Sequence, residues 1–341
     1  MSSFNSGDTY HVPLVIQRNV NYTAPCLLAQ RSYWREFQLR LSSAVMEWII
    51  GPLAALFAAL FWALATLLYS QAGSYLSASQ LNLVKGFVAV PLLFIVGLLS
   101  GQLVTFDGST AAWLLLASGV IGITLGDTLY FTALRRIGPW HTMLFEYLAP
   151  PFAAAIAWLG LREAMSWSEV GAALVVLVGI LIIVTDRGGA SVRQPLTKAG
   201  MAAATGAAFC QALGLVMAFE ALASFSINPL QAAFVRLAAG TFALTIALLL
   251  LKPTMIIQTR AALRHTSLPW LLIAIVMGTF LAIWLQQTAI AYLHPGLAQT
   301  LLATAPLWLI PIQWWRGEPP TGRSISGALI AVIGIALLFS R

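Results

Sequence analysis

The sequence predicts an all-α integral membrane protein in which ten transmembrane helices form two inverted five-helix repeats around a central cavity. Three observations carry this prediction. The 341 residues are 60% hydrophobic and only 9% charged, with a mean hydropathy of +0.86, well outside soluble averages. Apolar runs long enough to cross a hydrocarbon layer of about 30 Å recur along the chain. The chain also matches itself when displaced by about 150 residues.

Residues 1–45 are polar and mixed in charge, with no run that could serve as a signal peptide or a span, and read as an N-terminal extension. The first hydrophobic run opens at once after Met46, which makes Met46 an alternative translation start; Asn21-Tyr22-Thr23 reads as a chance glycosylation match. The ten apolar runs cover residues 49–69, 80–100, 111–134, 140–161, 168–186, 199–222, 229–251, 268–292, 296–315 and 325–340. They divide into a first repeat (46–186), a basic linker (187–198) and a second repeat (199–341). No connection between runs is long enough to fold by itself, so the function belongs inside the bilayer.

Lys and Arg in short loops are retained on the cytoplasmic side. The loops after runs three, five, seven and nine hold Arg135, Arg136, Arg187, Arg193, Lys198, Lys252, Arg260, Arg264, Arg316 and Arg323, whereas the opposite face holds Arg162 and Arg341. This bias places both ends of the ten-run body outside, while the basic residues of the extension argue the other way unless Met46 is the start.

The self-match is ordered. Leu129–Leu134 aligns with Leu285–Ile290, Pro139 with Pro295, and Gln80, Val84 and Lys85 with Gln231, Val235 and Arg236. Pro151, Glu163 and Gly179 align with Pro306, Glu318 and Gly334 at preserved separations. A repeat of five spans is odd, so the second copy enters the membrane from the opposite side. Inverted repeats of this kind hold their substrate near the midplane and exchange conformations to open each side in turn.

A basic residue early in the second helix of each half (Lys85, Arg236), Pro-x11-Glu before a glycine-containing last helix, and the run Gly-Asp-x-Leu-Tyr-Phe-x-Ala-Leu at Gly126–Leu134 resemble the EamA-type branch of the drug/metabolite transporter superfamily. The resemblance covers Met46 to the end. It implies a ten-helix basket around a central cavity, and a secondary transporter that exports or exchanges small metabolites such as amino acids across the plasma membrane, the inner membrane in a bacterium. Drug or toxin efflux and nucleoside transport are the alternatives within that class.

An Asp at the centre of a membrane helix costs roughly 2.5–3.5 kcal/mol, so such residues face a bundle interior or a wet cavity. Lys85, Asp127 and Glu146 fall at one depth, which predicts a cluster of one cation and two acids for coupling or gating. Three roles stay open: a Lys85–Asp127 lock with Lys85 snorkelling to the surface, proton coupling through Glu146 or Asp127, and contact with a cationic substrate group. The residues aligned with Asp127 and Glu146 are Ile283 and a leucine, Leu301 or Leu302. Glu220 and Arg236 share a depth nearer the outer face and predict a second gate.

Polar and aromatic residues near the midplane supply the expected cavity: Trp62, Gln211, Trp284, Gln286, Gln287, Gln299 and Thr304, with Gln211 aligned to Trp62. Pro150, Pro151 and Pro306 fall mid-run at matching places and predict hinges. Ser118, Gly122 and Gly126 predict close helix contact, and Trp140, Trp314 and Trp315 an interfacial belt.

No hydrolase, nucleotide-binding or zincin motif is present, and Cys26, Cys210, His11, His141, His265 and His294 are scattered, so neither a metal nor a cofactor is expected. A membrane-embedded enzyme would need converging nucleophile, base or metal ligands, and a channel would need a continuous polar path. The net charge of +7 marks loops rather than nucleic-acid binding. The expected partners are the lipid bilayer, a small-molecule substrate and, for coupling, protons, with the protein a monomer or a homodimer.

Overall fold

The computed structural model describes residues 49–71, 75–103, 110–185, 195–225, 227–315 and 321–339. The extension 1–45 with Met46, and Arg187, Arg193, Arg316, Glu318 and Arg341, lie outside them. Every regular element among the described residues is helical. In chain order these are α1 (Ile49–Gln71), α2 (Ala78–Leu99), α3 (Thr110–Pro139), α4 (His141–Leu161), α5 (Trp167–Val184) and α6 (Lys198–Phe225). They are followed by α7 (Pro229–Leu251), α8 (Met255–Leu263), α9 (Leu268–Tyr292), α10 (Pro295–Leu302), α11 (Ala305–Trp315) and α12 (Gly322–Phe339).

Seven of these helices, α1 to α4, α6, α7 and α9, are long and apolar enough to cross a membrane, and α5 and α12 carry shorter apolar stretches. The ninth predicted run is not one helix: it is divided into α10 and α11. Between α7 and α9, where a loop was expected, α8 forms with Ile256 and Ile257 exposed and Thr259 buried. Its nine residues are too few and too polar to register as an apolar run.

Local chemistry sets the helix ends. Ser77 accepts from the Gln80 amide while the Gln80 side chain accepts from the Ser77 amide, and Ser166 and Glu169 repeat this reciprocal cap at α5. Asn228 caps α7 ahead of Pro229. Gly138 adopts φ 76°, a left-handed conformation that any side chain would strain, and with Pro139 it turns the chain from α3 into α4.

The two halves pack as exchanged copies. Gly179 of α5 lies against Ala331 of α12, and Gly334 of α12 lies against Val176 of α5, the same contact with the halves swapped. A Cβ added at Gly179 would fall 2.6 Å from the Gly327 carbonyl, and one at Gly334 would fall 2.6 Å from the Val176 amide nitrogen. Likewise Gly122 of α3 meets Gly214 of α6, and the aligned Gly278 of α9 meets Ala65 of α1. Helices without side chains at the contact bring their backbones close, which is how packing stabilises bundles in lipid. Ser118 donates to the Gly214 carbonyl at 2.5 Å and Gly126 faces Cys210, so the predicted small-residue stripe of α3 lies against α6.

Outside, large apolar side chains stand free: Leu99, Leu251, Ile257 and Trp167 are 82%, 78%, 75% and 90% exposed. A surface this apolar belongs in lipid. Trp314 is also exposed, while the side chains of Trp140 and Trp315 lie outside the described set.

Candidate functional site

Two local departures from the α-helix shape the centre. Val120–Asp127 of α3 and Val276–Leu281 of α9 are wound as π-helix, and Val276 is the residue aligned with Val120. Such wide turns displace side chains and concentrate at functional sites. Each is gripped by polar groups of neighbouring helices: Asn82 of α2 donates to the Ile123 carbonyl at 2.8 Å, Thr124 donates to the Gly240 carbonyl of α7 at 2.7 Å, and the Tyr69 hydroxyl of α1 pairs with Thr279 at 2.7 Å.

The second departure is a break. Tyr147–Leu148 interrupts α4, and the aligned Ala303–Thr304 separates α10 from α11. Pro150 and Pro151 therefore sit in the first turn of the segment Ala149–Ile156, and Pro306 is the second residue of α11. The expectation of prolines inside continuous helices is corrected: at a helix start a missing N–H is tolerated, so these prolines begin a segment rather than kink one. The carbonyls of Glu146, Tyr147 and Leu302 lose the amide donors that residues 150, 151 and 306 would otherwise supply.

Between the π turns and the breaks lies a cavity of about 70 Å³, enough for several waters or one small solute. Trp62 of α1, Tyr130 and Asp127 of α3, Glu146 of α4, Gln211 of α6, Arg236 of α7, Gln286 and Ile283 of α9 and Gln299 of α10 line it. Alanines 58, 59, 149, 207, 208, 282 and 303 supply the room. Trp62 donates from Nε1 to Glu146 Oε1 at 3.3 Å, and its ring lies 5.2 Å from that of Tyr130, whose hydroxyl pairs with Thr66 at 2.7 Å. Lys85, which is 1% exposed, pairs with Asp127 and stands 5.3 Å from the Phe131 ring centre. Arg236 is also 1% exposed, and its Nε and Nη1 meet no acceptor.

Of the seven cavity residues the sequence pointed to, Trp62, Gln211, Gln286 and Gln299 line this space. Trp284 packs into the core beside Phe280, Gln287 is buried elsewhere with both amide atoms unpartnered, and the Thr304 hydroxyl donates to the Leu301 carbonyl at 2.6 Å within the break. Asp127, Glu146 and Arg236 line the cavity, whereas Lys85 stands behind Asp127 and does not snorkel. The predicted Glu220–Arg236 pair is not formed in this structure: Glu220 accepts from Ser224 on its own helix at 2.6 Å, while Arg236 reaches inward beside Gly122 and Gln211. The only ion pair among the described residues is Lys85–Asp127.

Tyr130 was missed. It falls three residues after Asp127, on the same helical face, and that spacing was the available signal. The lining alanines carry no such signal, because an alanine in a membrane helix is ordinary.

A solved crystal structure 16% identical in sequence superimposes with a TM-score of 0.63 over 84% of this chain and 96% of its own, which shows a shared fold. No curated protein matches the chain. The model of the EamA-like transporter family matches twice, over residues 49–185 and 198–340, once for each half. With two copies of its unit covering the chain from Ile49 to Ser340, this protein belongs to the EamA-like transporter family.

Proposed function

We propose that this chain is a secondary transporter of the plasma membrane that exports small organic metabolites, such as amino acids, by alternating access. In this reading ten spans form two inverted five-helix halves, with α10 and α11 together making the ninth span and 187–198 linking the halves on the cytoplasmic side. The observation that carries it is the cavity of about 70 Å³ lined by both halves at their aligned breaks and π turns. Loosened backbone of this kind is tolerated at membrane depth where it lines a cavity, and it lets half-helices tilt without unfolding. Protons couple the cycle through Glu146, which lines the cavity and, among the described residues, has no cation within ion-pair distance. A carboxyl in that position is exposed to each side in turn. In a bacterium the site of action is the inner membrane.

Counterflow tests the reading. Proteoliposomes loaded with an unlabelled panel of amino acids, nucleosides and small carboxylates should accumulate the labelled form of at least one of them, with saturation. A rate that rises linearly with concentration and does not saturate indicates a channel, and a chemically altered solute indicates an enzyme. Reporter fusions that place residues 46 and 198 on one side of the membrane would refute the inverted arrangement.

A further inference from the structure

The two halves are not equivalent at their centre. Lys85 and Arg236 occupy aligned positions and both are 1% exposed, yet only Lys85 has an acid. The residue aligned with Asp127 is Ile283, which lines the same cavity as Arg236. The second half therefore presents a buried guanidinium whose Nε and Nη1 meet no acceptor, at the wall of a space sized for a solute. A buried cation needs an anion or a set of acceptors to persist.

We propose that Arg236 anchors the carboxylate of the transported solute, which takes the place that an acid at position 283 would hold. This rests on the transporter reading above. Lys85 is paired with Asp127, so Arg236 is the cation lining the cavity that has no acid at ion-pair distance among the described residues. With Glu146 carrying its coupling proton a bound monoanion balances Arg236, and a second negative charge on the solute finds no further cation there. A planar carboxylate matches the guanidinium plane. Across the cavity, Trp62, Tyr130 and Glu146 offer aromatic faces and an acceptor to an apolar body or a donor group at the solute's other end.

The test uses purified full-length protein in detergent, with thermal-shift and tryptophan-fluorescence titrations of the standard L-amino acids and of straight-chain C2–C6 monocarboxylates. Each is matched with its primary amide and its decarboxylated counterpart. At least one carboxylate should bind, and its amide about thirty-fold or more weakly. Arg236→Gln should erase that preference, Arg236→Lys should keep part of it, and Ile283→Asp should abolish carboxylate binding while the protein elutes and melts as a folded monomeric or dimeric species. An amide that binds as well as its acid, carboxylate binding that survives Arg236→Gln or Ile283→Asp, or no bound carboxylate in the panel overturns the proposal. Its failure is distinguishable from that of the transporter reading: saturable counterflow of an amine, unchanged in Arg236→Gln, sinks the anchor alone. Carboxylate binding lost in Arg236→Gln without any counterflow sinks transport alone.

Discussion

Replacing Lys85 by Met removes one partner of a pair in which the lysine is 1% exposed and the Asp127 side chain 5%. A charge stranded at such a site destabilises by about 3–5 kcal/mol, because the survivor is largely removed from bulk water and has no other cation at hydrogen-bond distance among the described residues. Methionine retains most of the stem that packs beside Phe131, so the loss is electrostatic rather than steric. Asp127→Leu alone should cost a similar amount by stranding Lys85. In the double variant no charge is stranded, and about 2 kcal/mol or more of the combined loss should return as coupling energy. Unfolding by SDS titration in mixed micelles, followed by fluorescence, measures all four proteins. Single losses below about 1 kcal/mol, or losses that simply add in the double variant, would refute the assignment of this pair as a buried, mutually dependent lock.

Four further outcomes are expected. Glu146→Gln should leave a saturable counterflow, at an altered rate because the residue lines the cavity, but remove its acceleration by an imposed proton gradient, and a gradient response equal to wild type would rule out coupling there. Ala208→Leu adds three carbon atoms to a cavity of about 70 Å³ and should stop counterflow in a protein that still elutes as folded; undiminished counterflow would place the solute path elsewhere. Gly179→Ala and Gly334→Ala should each cost about 1–3 kcal/mol in the same SDS assay, since both push a methyl group into facing backbone, and a marked difference between them would contradict the exchanged packing. Gly138→Ala should lose about 1–2 kcal/mol from its left-handed backbone, and an unchanged midpoint would show that the turn can be rebuilt.

Much of this was legible because membrane helices advertise themselves by length and apolarity, and a duplicated unit advertises itself by aligned pairs. Seven of the apolar runs are helices long and apolar enough to cross a membrane, the fourth of them broken at Tyr147–Leu148; the fifth and tenth are shorter apolar helices and the ninth is a divided pair, and the Gly138-Pro139 turn lies where its residues place it. Trp62, Gln211, Gln286 and Gln299 stood out because a polar or broad aromatic side chain in lipid needs a reason. What sequence could not carry was direction. Arg236 lies at a depth from which it could turn outward to Glu220 or inward to the cavity, and only the packing of Gly122 and Gly119 against α7 decides. The breaks were displaced for a related reason: proline announces that a helix is interrupted, but the interruption falls just before it, at Tyr147–Leu148 and Ala303–Thr304. The π turns have no compositional mark at all. Thr304 and Gln287 were polar for local or unaccounted reasons, one serving a backbone carbonyl and the other buried without partners.

The wide winding of Val120–Asp127 gives this stretch a reserve of length. A π segment holds more residues per turn than an α-helix, so a single residue lost there can be made up by tightening to the ordinary pitch, whereas the same loss from the plain helix that follows would swing everything beyond it by about 100°. In the first case Asp127 keeps its bearing toward Lys85; in the second, a loss between Asp127 and Tyr130 turns one of the two off the cavity wall they share.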